Sequence, residues 1–440
     1  MESSHKKGQS NFLYYGLLIY TAVFYSQIGS RFTILGTFRI ELIIGSVILF
    51  VILLKILRGE IDFKENRLNM AAIIFLSAAF LTIPLAFVRS VALDWFIRLL
   101  KFFAIYPMII AAINNEDKLK GFIYVYVAML SLLIVEPFIL SLQGKGFIWN
   151  NNMWRLAGVT GYFSHPNQLG GITSENLPFL FFLFKGERSI IKKLILAVLI
   201  IIALRVIMLT QSRTAFVGVL TFAFFLWIYS KRKILYVIVL IFLAIPIWHF
   251  SPQQTKERFL TLKSSVEVLA EDTSNLSEQE RVSAGSMASR WELIKRGLIA
   301  FTENPFLGLG LHCFNSFNGR RWGYWFPPHN TYVQSLAEMG IIGFIAFLLV
   351  IIFTIGNLRK SREILRQIGG EGSFLFNMSS AAMLYMFTRL VVGMFGQDLY
   401  GNYWWLAGGL SLVIWRLCKI RVEREKEKAK SIILQYSSDD

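Results

Sequence analysis

The sequence predicts an all-α integral membrane protein with about 12 transmembrane helices and one large loop, and three observations predict it. The 440 residues are 55% hydrophobic with a mean hydropathy of +0.53, which is more apolar than a soluble chain of this length requires. The apolar segments are mostly near 20 residues long, which is the length that a helix needs to cross a hydrocarbon core of about 30 Å. These segments are continuously apolar rather than alternating, and this favours helices over a β-barrel.

The predicted spans divide the chain into four parts. Residues 1–250 hold nine spans, 251–328 form the large loop, 329–418 hold three spans, and 419–440 form a tail. The first span has no small-residue cleavage site, so it is expected to be a retained helix. The spans are 12–29, 40–57, 70–88, 93–113, 121–142, 167–185, 192–210, 213–230, 233–250, 330–357, 374–394 and 402–418.

The basic residues predict the orientation. The chain has 45 Lys and Arg residues and a net charge of +17. Most of them lie in the two termini and in alternate loops, such as 231–233 and 421–430, whereas short loops on the other side carry few. By the positive-inside rule, both termini are cytoplasmic and the large loop lies outside. Membrane anchoring explains the charge, so no nucleic-acid partner is expected.

The large loop has two halves of different composition. Residues 251–288 are polar and helix-prone, whereas the second half is rich in Gly and aromatic residues from Trp291 to Phe326. We expect helices that lie on the membrane surface, with the aromatic side chains at headgroup level. The two cysteines, Cys313 and Cys418, are predicted on opposite faces, so neither a disulfide nor a cysteine metal site is expected.

Unusual polar residues collect on the predicted outer face, and this coincidence is the main indication of function. They come from distant parts of the chain but share one side of the membrane. They are Arg155, His165-Pro166-Asn167, Gln211-Ser212-Arg213, Arg290, His329 and Asp398.

Arg213 lies in a very short turn between two apolar spans, against the charge bias. It begins a helix, where free N–H groups and the helix dipole favour an anion. Its planar fork matches a phosphate. Anchoring to lipid headgroups is an equally good interpretation. Arg290 heads an amphipathic stretch, for which a solvated charged face is the ordinary explanation.

His329 follows two prolines and precedes a long apolar helix that Asn330 or Thr331 can cap. A histidine at a helix N-terminus is shifted towards its neutral form, which is the form of a general base. A structural histidine is the alternative. Gly340 and Gly343 are predicted to let another helix approach closely.

His165-Pro166-Asn167 repeats the arrangement of His329 at the start of span six. It is either a second wall of the site or an ordinary helix start, in which Asn167 caps the helix or binds substrate. Motifs of other enzyme classes are missing, including a P-loop, HExxH, CxxC and GxSxG. No carboxylate pair stands on the outer face to hold a divalent metal, so neither a metal nor a cofactor is expected.

The run His329-Asn330-x9-Gly340-x-x-Gly343 resembles the signature of bacterial O-antigen ligases. The stretch from Arg290-Trp291 to 304–310 looks like the segment that precedes this signature in the family. Residues 161–170 and Gln211-Ser212-Arg213 are similar to its loop and its Ser-Arg turn. The superfamily also includes O-antigen polymerases and bacterial O-linked oligosaccharyltransferases.

The resemblance implies a GT-C-like membrane glycosyltransferase of lipopolysaccharide biosynthesis in the bacterial inner membrane. It would move a glycan from undecaprenyl diphosphate to lipid A-core at the periplasmic face, without a metal. Its partners would be this donor, lipid A-core or another glycan acceptor, and membrane lipids. Arg213 and Arg290 would hold the diphosphate and His329 would act on the acceptor hydroxyl. The substrate-binding residues would be Arg155, His165, Asn167 and Asn330.

Two alternatives remain at the level of sequence. A repeat-unit polymerase or a protein O-oligosaccharyltransferase would share this chemistry, and motif spacing does not separate them. A transporter or flippase would show paired halves and charges on both faces. The sequence has no paired halves and its polar outliers cluster on one face, which favours an enzyme.

Overall fold

The computed structural model describes residues 2–61, 66–150, 153–230, 232–234, 238 and 278–436, and these are nearly all helical. The first eight helices are α1 (Glu2–Ser26), α2 (Ile28–Arg31), α3 (Thr33–Thr37), α4 (Ile40–Leu57), α5 (Arg67–Leu81), α6 (Arg89–Phe103), α7 (Ile105–Ala112) and α8 (Glu116–Leu142). A short antiparallel hairpin follows, with strands β1 (Phe147–Trp149) and β2 (Trp154–Leu156). The later helices are α9 (Pro166–Gly186), α10 (Ile190–Thr210), α11 (Arg213–Tyr229), α12 (Glu278–Glu303), α13 (Phe314–Trp322), α14 (Thr331–Gln367), α15 (Phe374–Val392) and α16 (Tyr403–Tyr436).

Five helical stretches of the described chain are long and apolar enough to cross a membrane. Helix α4 shows why a bilayer is needed, because only three of its 18 residues are buried although nearly all are apolar. The prediction of an α-helical membrane protein is confirmed. The span predicted at 233–250 lies almost entirely outside the described residues. The five stretches are Ile40–Leu57, Arg89–Ala112, Glu116–Leu142, Thr331–Gln367 and Phe374–Phe395.

Proline explains two differences between the predicted and observed spans. The span predicted at 70–88 ends as a helix at Leu81, because the residue before Pro84 is biased away from helical backbone. The span predicted at 93–113 is divided into α6 and α7 at Ala104. Pro107 cannot donate to the carbonyl of Phe103 and its ring crowds that carbonyl. Runs of apolar residues do not reveal such interruptions.

Helices α9 and α14 organise the interior. Helix α9 packs against α8, α10, α11 and α15, and α14 packs against α5, α12, α15 and α16. Helices α9, α11 and α14 begin on the same side of the protein, which we call the His329 side. Helix α15 ends there, because Gly170 lies beside Ser212 and Ala215, and Gly393 lies beside Thr331.

The described part of the large loop, residues 278–328, contains two helices, α12 and α13, in agreement with the expected helical character. It has a small apolar core of its own. Leu293, Phe314 and Phe317 pack there with Ala92 of α6. The loop is therefore attached to the transmembrane helices by apolar contacts.

Candidate functional site

Helix α14 is interrupted near its start. Gly340 has φ 63° and ψ −167°, so the helical hydrogen bonds stop there. The freed backbone groups bind the segment 305–310 instead. The N–H of Ile341 donates to the carbonyl of Pro305 at 2.8 Å, and the N–H of Leu309 donates to the carbonyl of Ala337 at 2.9 Å. The two sequence motifs at 304–310 and 340–343 therefore form one structural unit.

The glycine at 340 is required by this break. A Cβ atom at Gly340 would clash with the backbone of Phe306, and the observed φ is unfavourable for other residues. The prediction that Gly340 and Gly343 admit another helix is wrong at Gly340, because a loop segment made of turns occupies that space. At Gly343 the nearest atoms belong to Met339 of the same helix. The loop thus fixes the first turns of α14, next to His329.

Helix α12 lies close to the same turns. A Cβ atom at Gly297 would collide with the side chain of Val333, in the first turn of α14. This close approach brings α12 alongside the start of α14. Arg290, near the middle of α12, is then close enough for its charge to act on the His329 ring.

Arg290 is the common neighbour of the predicted site residues. Its positive charge acts on Arg155, Arg213 and His329, which come from three other segments of the chain. Burial lowers the pKa of Arg290 itself. Burial, followed by the charge of Arg290, lowers the pKa of Arg155 to about 10. Like charges gathered in a partly buried place repel one another, and an anion bound between them would relieve this repulsion.

His329 has a left-handed backbone, with φ 50°, which places its ring just before α14. The pKa of His329 is lowered to about 4, mainly by burial and then by Arg290, whereas Asp398 opposes this effect. The ring is therefore neutral near pH 7, as the sequence led us to expect. Burial, rather than the helix N-terminus, is the main cause.

Asn330 caps α14, as one of the two predicted capping residues. Its Oδ1 accepts the N–H groups of Tyr332 and Val333, each at 3.0 Å. Its Nδ2 donates to the carbonyl of Met394 at 3.2 Å. These bonds connect the start of α14 to the end of α15, next to His329. A direct contact of Asn330 with substrate stays a prediction.

His165 caps α9, and the prediction that Asn167 caps this helix is wrong. The Nδ1 atom of His165 accepts the N–H of Asn167 at 3.2 Å. Pro166 has no N–H to offer, so the first free donor of the helix is that of Asn167. A neutral ring with Nδ1 as acceptor carries its proton on Nε2. Burial and the charge of Arg155 lower the pKa of His165, so His165 presents a hydrogen-bond donor.

Arg155 is completely buried on β2 and holds three segments together. Its Nε donates to the carbonyl of Thr210 at 2.9 Å, its Nη1 to Asn150 Oδ1 at 2.7 Å and its Nη2 to Asn167 Oδ1 at 2.6 Å. The hairpin, the start of α9 and the end of α10 are thereby fixed relative to one another. Arg155 therefore positions the turn that carries Arg213, and contact of Arg155 with substrate stays a prediction.

The turn before α11 is rigid. Gln211 has φ 49°, and its Nε2 donates to the carbonyl of Trp154 at 3.1 Å. Ser212 caps α11 by accepting the N–H of Ala215 at 3.4 Å. Arg213 is therefore presented as the first residue of a helix at a fixed position, where the N-terminus of α11 reinforces its positive charge.

Sequence analysis missed a buried ion-pair cluster next to the site. Arg389 of α15 lies 2.5 Å from Glu175 of α9 and 2.6 Å from Asp398. Its guanidinium also lies over the ring of Tyr403 at 3.9 Å. Glu175 and Arg389 fall inside predicted spans, where an unpaired charge is costly, and this position is the signal that could have revealed the pair. Asp398 connects the cluster to His329, on which its charge acts.

Fold and site together define a multi-pass α-helical membrane protein with an arginine-rich site beside a neutral histidine. Within the described ranges, no group of three or more His, Cys, Asp or Glu side chains could hold a metal ion. A family model described as O-antigen ligase matches residues 196–348, which include Arg213, Arg290, His329 and Gly340. This match supports the O-antigen ligase superfamily, whose members are glycosyltransferase-like enzymes that act in glycan assembly. No curated protein is similar enough to count as a match.

Proposed function

We propose that the protein is an O-antigen ligase-type glycosyltransferase that moves a glycan from undecaprenyl diphosphate to lipid A-core. The observation that carries the proposal is the position of Arg290, whose charge acts on Arg155 of the hairpin, on Arg213 at the start of α11 and on His329 just before α14. The finer architecture belongs to the same proposal: 12 GT-C-like spans in the bacterial inner membrane, cytoplasmic termini and a periplasmic site.

The donor's chemistry matches this arrangement. A lipid diphosphate keeps its hydrocarbon tail in the bilayer while its two phosphates lie at headgroup depth. Arg213 and Arg290 offer two planar forks at that depth, and each can bind a phosphate in a bidentate manner. The negative charge of the diphosphate grows as the glycosyl bond breaks, so these arginines stabilise the transition state more than the bound donor.

His329 supplies the base. In the proposed step the acceptor hydroxyl oxygen forms a bond to the anomeric carbon, and the bond from that carbon to the phosphate oxygen breaks. The electron pair of the broken bond leaves with undecaprenyl diphosphate, and the hydroxyl proton passes to the neutral His329 ring. Such general-base catalysis contributes about 10²–10⁴-fold. Asp398 is a positioning residue, because its charge favours the imidazolium that forms.

A cavity on the His329 side offers space for the polar part of a substrate. Its volume is about 500 Å³, within the usual range for ligand sites. Arg39, Arg98 and Lys101 line it, and Glu41 opposes them. Tyr162 lies at its edge, and the Tyr162 hydroxyl is 3.3 Å from that of Tyr403. The cavity therefore adjoins the cluster around Arg389.

The decisive experiment offers a purified lipid-diphosphate glycan to the full chain with lipid A-core, with free repeat units or with a pilin-like protein. We expect glycan transfer to lipid A-core, and loss of transfer in the His329→Asn variant. Asn is the replacement of choice because it tolerates the left-handed backbone of this position. Product formed only with repeat units or only with the protein would identify a polymerase or a protein glycosyltransferase.

His312→Asn is the matched control. His312 also has a left-handed backbone, with φ 56°, and burial lowers its pKa to about 4. Its charged neighbour is Arg98 rather than Arg290, and its ring stacks on Trp95 with centroids 3.8 Å apart. Transfer should survive in this variant. Equal transfer by wild type and His329→Asn, or no transfer to any acceptor, would contradict the proposal.

A further inference from the structure

A second basic cavity lies at the other end of the helices that form the candidate site. Helices α9 and α11 and the extended C-terminal part of α14 surround it together with the start of α15, and its volume is about 530 Å³. From Arg213 to Tyr229, α11 advances about 24 Å at 1.5 Å per residue. This cavity, which we call the distal cavity, therefore lies towards the opposite membrane surface and is separate from the site around His329.

The distal cavity contains a buried arginine. Arg362 of α14 is only 6% exposed. Its guanidinium lies between the rings of Tyr229 and Phe376, at 4.8 and 5.1 Å from their centroids. In the described part of the chain, the hydrogen-bond acceptor of Arg362 is the sulfur of Met383, at 3.9 Å from Nη1, and thioether sulfur is a weak acceptor.

No carboxylate of the described residues forms an ion pair with Arg362. Glu371, which also lines the cavity, pairs with Arg366 at 3.4 Å. A buried charge without an ion-pair partner is costly. Cation–π contacts lie above and below the plane of a guanidinium, so they satisfy none of its five N–H donors, which point outward in that plane. Among the described residues, the guanidinium of Arg362 therefore has N–H donors that an anion could use.

Three further cations surround the same space. Lys185, Arg232 and Arg366 line the cavity, and all three are exposed at its rim. With Arg362 they make four positive charges against the one negative charge of Glu371. An anionic group that enters the distal cavity meets a guanidinium inside and further cations at the rim.

The rest of the wall is apolar. Phe181, Phe182, Leu226 and Leu384 line the same cavity. Cations beside apolar side chains suit an amphiphile, because the charged head contacts the cations while a hydrocarbon chain covers the apolar wall. We propose that the distal cavity binds the phosphate of an anionic phospholipid headgroup, with Arg362 as its main ligand. A free inorganic phosphate would leave the apolar wall uncovered.

The test measures lipid binding to the full chain in detergent by native mass spectrometry and by thermal unfolding. Phosphatidylglycerol is the anionic probe, phosphatidylcholine the zwitterionic probe and inorganic phosphate the soluble probe. We expect the Arg362→Gln variant to bind phosphatidylglycerol about tenfold more weakly than wild type, because a charge-assisted bidentate contact is lost. Phosphatidylcholine and inorganic phosphate should give no comparable stabilisation of wild type.

Arg359→Gln is the matched control, because Arg359 lies on the same helix one turn earlier and is exposed. It removes the same charge and should leave phosphatidylglycerol binding unchanged. Equal binding by the Arg362→Gln and Arg359→Gln variants would overturn the proposal. A further outcome is that inorganic phosphate stabilises wild type as much as phosphatidylglycerol does, with the effect lost in Arg362→Gln. That result would show that the ligand is free phosphate and would overturn the assignment to a lipid.

A folding check accompanies these measurements. Without anionic lipid, Arg362→Gln should unfold at or above the wild-type temperature, since the substitution removes a buried charge that forms no ion pair with a carboxylate of the described residues. If that variant does not fold, the double variant Lys185→Gln/Arg366→Gln at the rim replaces it. This double variant should bind phosphatidylglycerol more weakly than wild type, and unchanged binding would overturn the proposal. Glycan transfer is not needed for any of these results, so they are independent of the proposed function.

Discussion

Arg389 and Asp398 form an ion pair, with the Nη2 atom of the guanidinium 2.6 Å from the carboxylate Oδ2. The pair joins the end of α15 to the loop before α16, and its carboxylate also acts on the neighbouring His329 ring. The protonation of His329 is therefore set by two opposing influences. Burial and Arg290 lower its pKa to about 4, whereas Asp398 raises it.

This balance predicts the pH dependence of transfer. Since the pKa of His329 is about 4, the base is neutral at higher pH, and the rate should fall as the pH decreases through about 4. In Asp398→Asn the opposing charge is lost, so the pKa of His329 falls further and the acid limb moves to lower pH. Rates measured from about pH 3.5 to pH 8 with one donor check this.

The control for the pH experiment is Glu292→Gln, which removes an exposed carboxylate of α12 whose partner is Arg296. Its acid limb should coincide with that of wild type. An acid limb centred near the ordinary histidine pKa of about 6.5 in wild type would show that His329 is not buried as described. An acid limb unmoved in Asp398→Asn would remove this carboxylate from the site.

A second prediction concerns the shape of the two donor-binding arginines. Arg213→Lys and Arg290→Lys keep the positive charge but lose the planar fork, so each should lower kcat roughly 100-fold. The control is Arg320→Lys, since Arg320 is exposed on α13 of the same loop and should tolerate lysine. Steady-state kinetics with varied donor separate kcat from KM. Full activity of both lysine variants would indicate simple anchoring to headgroups.

A third prediction concerns the buried cluster around Arg389. Arg389→Met leaves the carboxylate of Glu175 buried without its partner, and this should destabilise the protein by about 3–5 kcal/mol. Replacing Glu175 by Gln in the same chain should recover part of the loss, because no uncompensated charge remains at that position. Thermal unfolding in detergent measures both effects.

The comparison for this cluster is an exposed pair. Arg366 and Glu371 lie 3.4 Å apart with both side chains accessible. Arg366→Met should therefore cost about 1 kcal/mol or less. If both arginine variants unfold at the same temperature, the cluster around Arg389 does not carry the stability that we assign to it.

A fourth prediction concerns the break in α14. Gly340→Ala places a methyl group against the backbone of Phe306 in an unfavourable conformation, so the segment 305–310 should detach and transfer should be lost. Gly356 lies later in the same helix with no atom near a Cβ position. Gly356→Ala should be neutral or stabilising by about 0.5–1 kcal/mol. Unfolding temperatures and transfer rates distinguish the Gly340→Ala and Gly356→Ala variants. Equal unfolding temperatures and equal transfer rates in the two variants would contradict the break at Gly340.

The sequence was sufficient for the class of fold and for predicting that Arg213, Arg290 and His329 lie near one another. Long apolar runs predict membrane helices because a bilayer imposes their length. The predicted topology places Arg213, Arg290 and His329 on the outer side of the membrane, and we therefore expected them to lie near one another. Residue type and position limited the cap of α14 to Asn330 or Thr331, and the structure shows that Asn330 is the cap.

Contacts between distant segments could not be predicted from residue type and hydropathy. Glu175 and Arg389 are 214 positions apart, and only their packing reveals that they pair. The break at Gly340 is invisible to hydropathy because apolar residues continue on both sides. In the sequence, Arg155 resembles a surface arginine. Its complete burial is possible because it donates hydrogen bonds to three acceptors in three separate segments.

The joined backbone of α14 and the segment 305–310 also limits how the enzyme can move. If the short half-helix after His329 moved alone, it would separate backbone N–H and carbonyl groups that bind each other, and each buried group left without a partner costs about 1–3 kcal/mol. His329, the proposed base, therefore keeps its position relative to the loop. In the proposed reaction, the donor and the acceptor would have to come to His329 rather than the reverse.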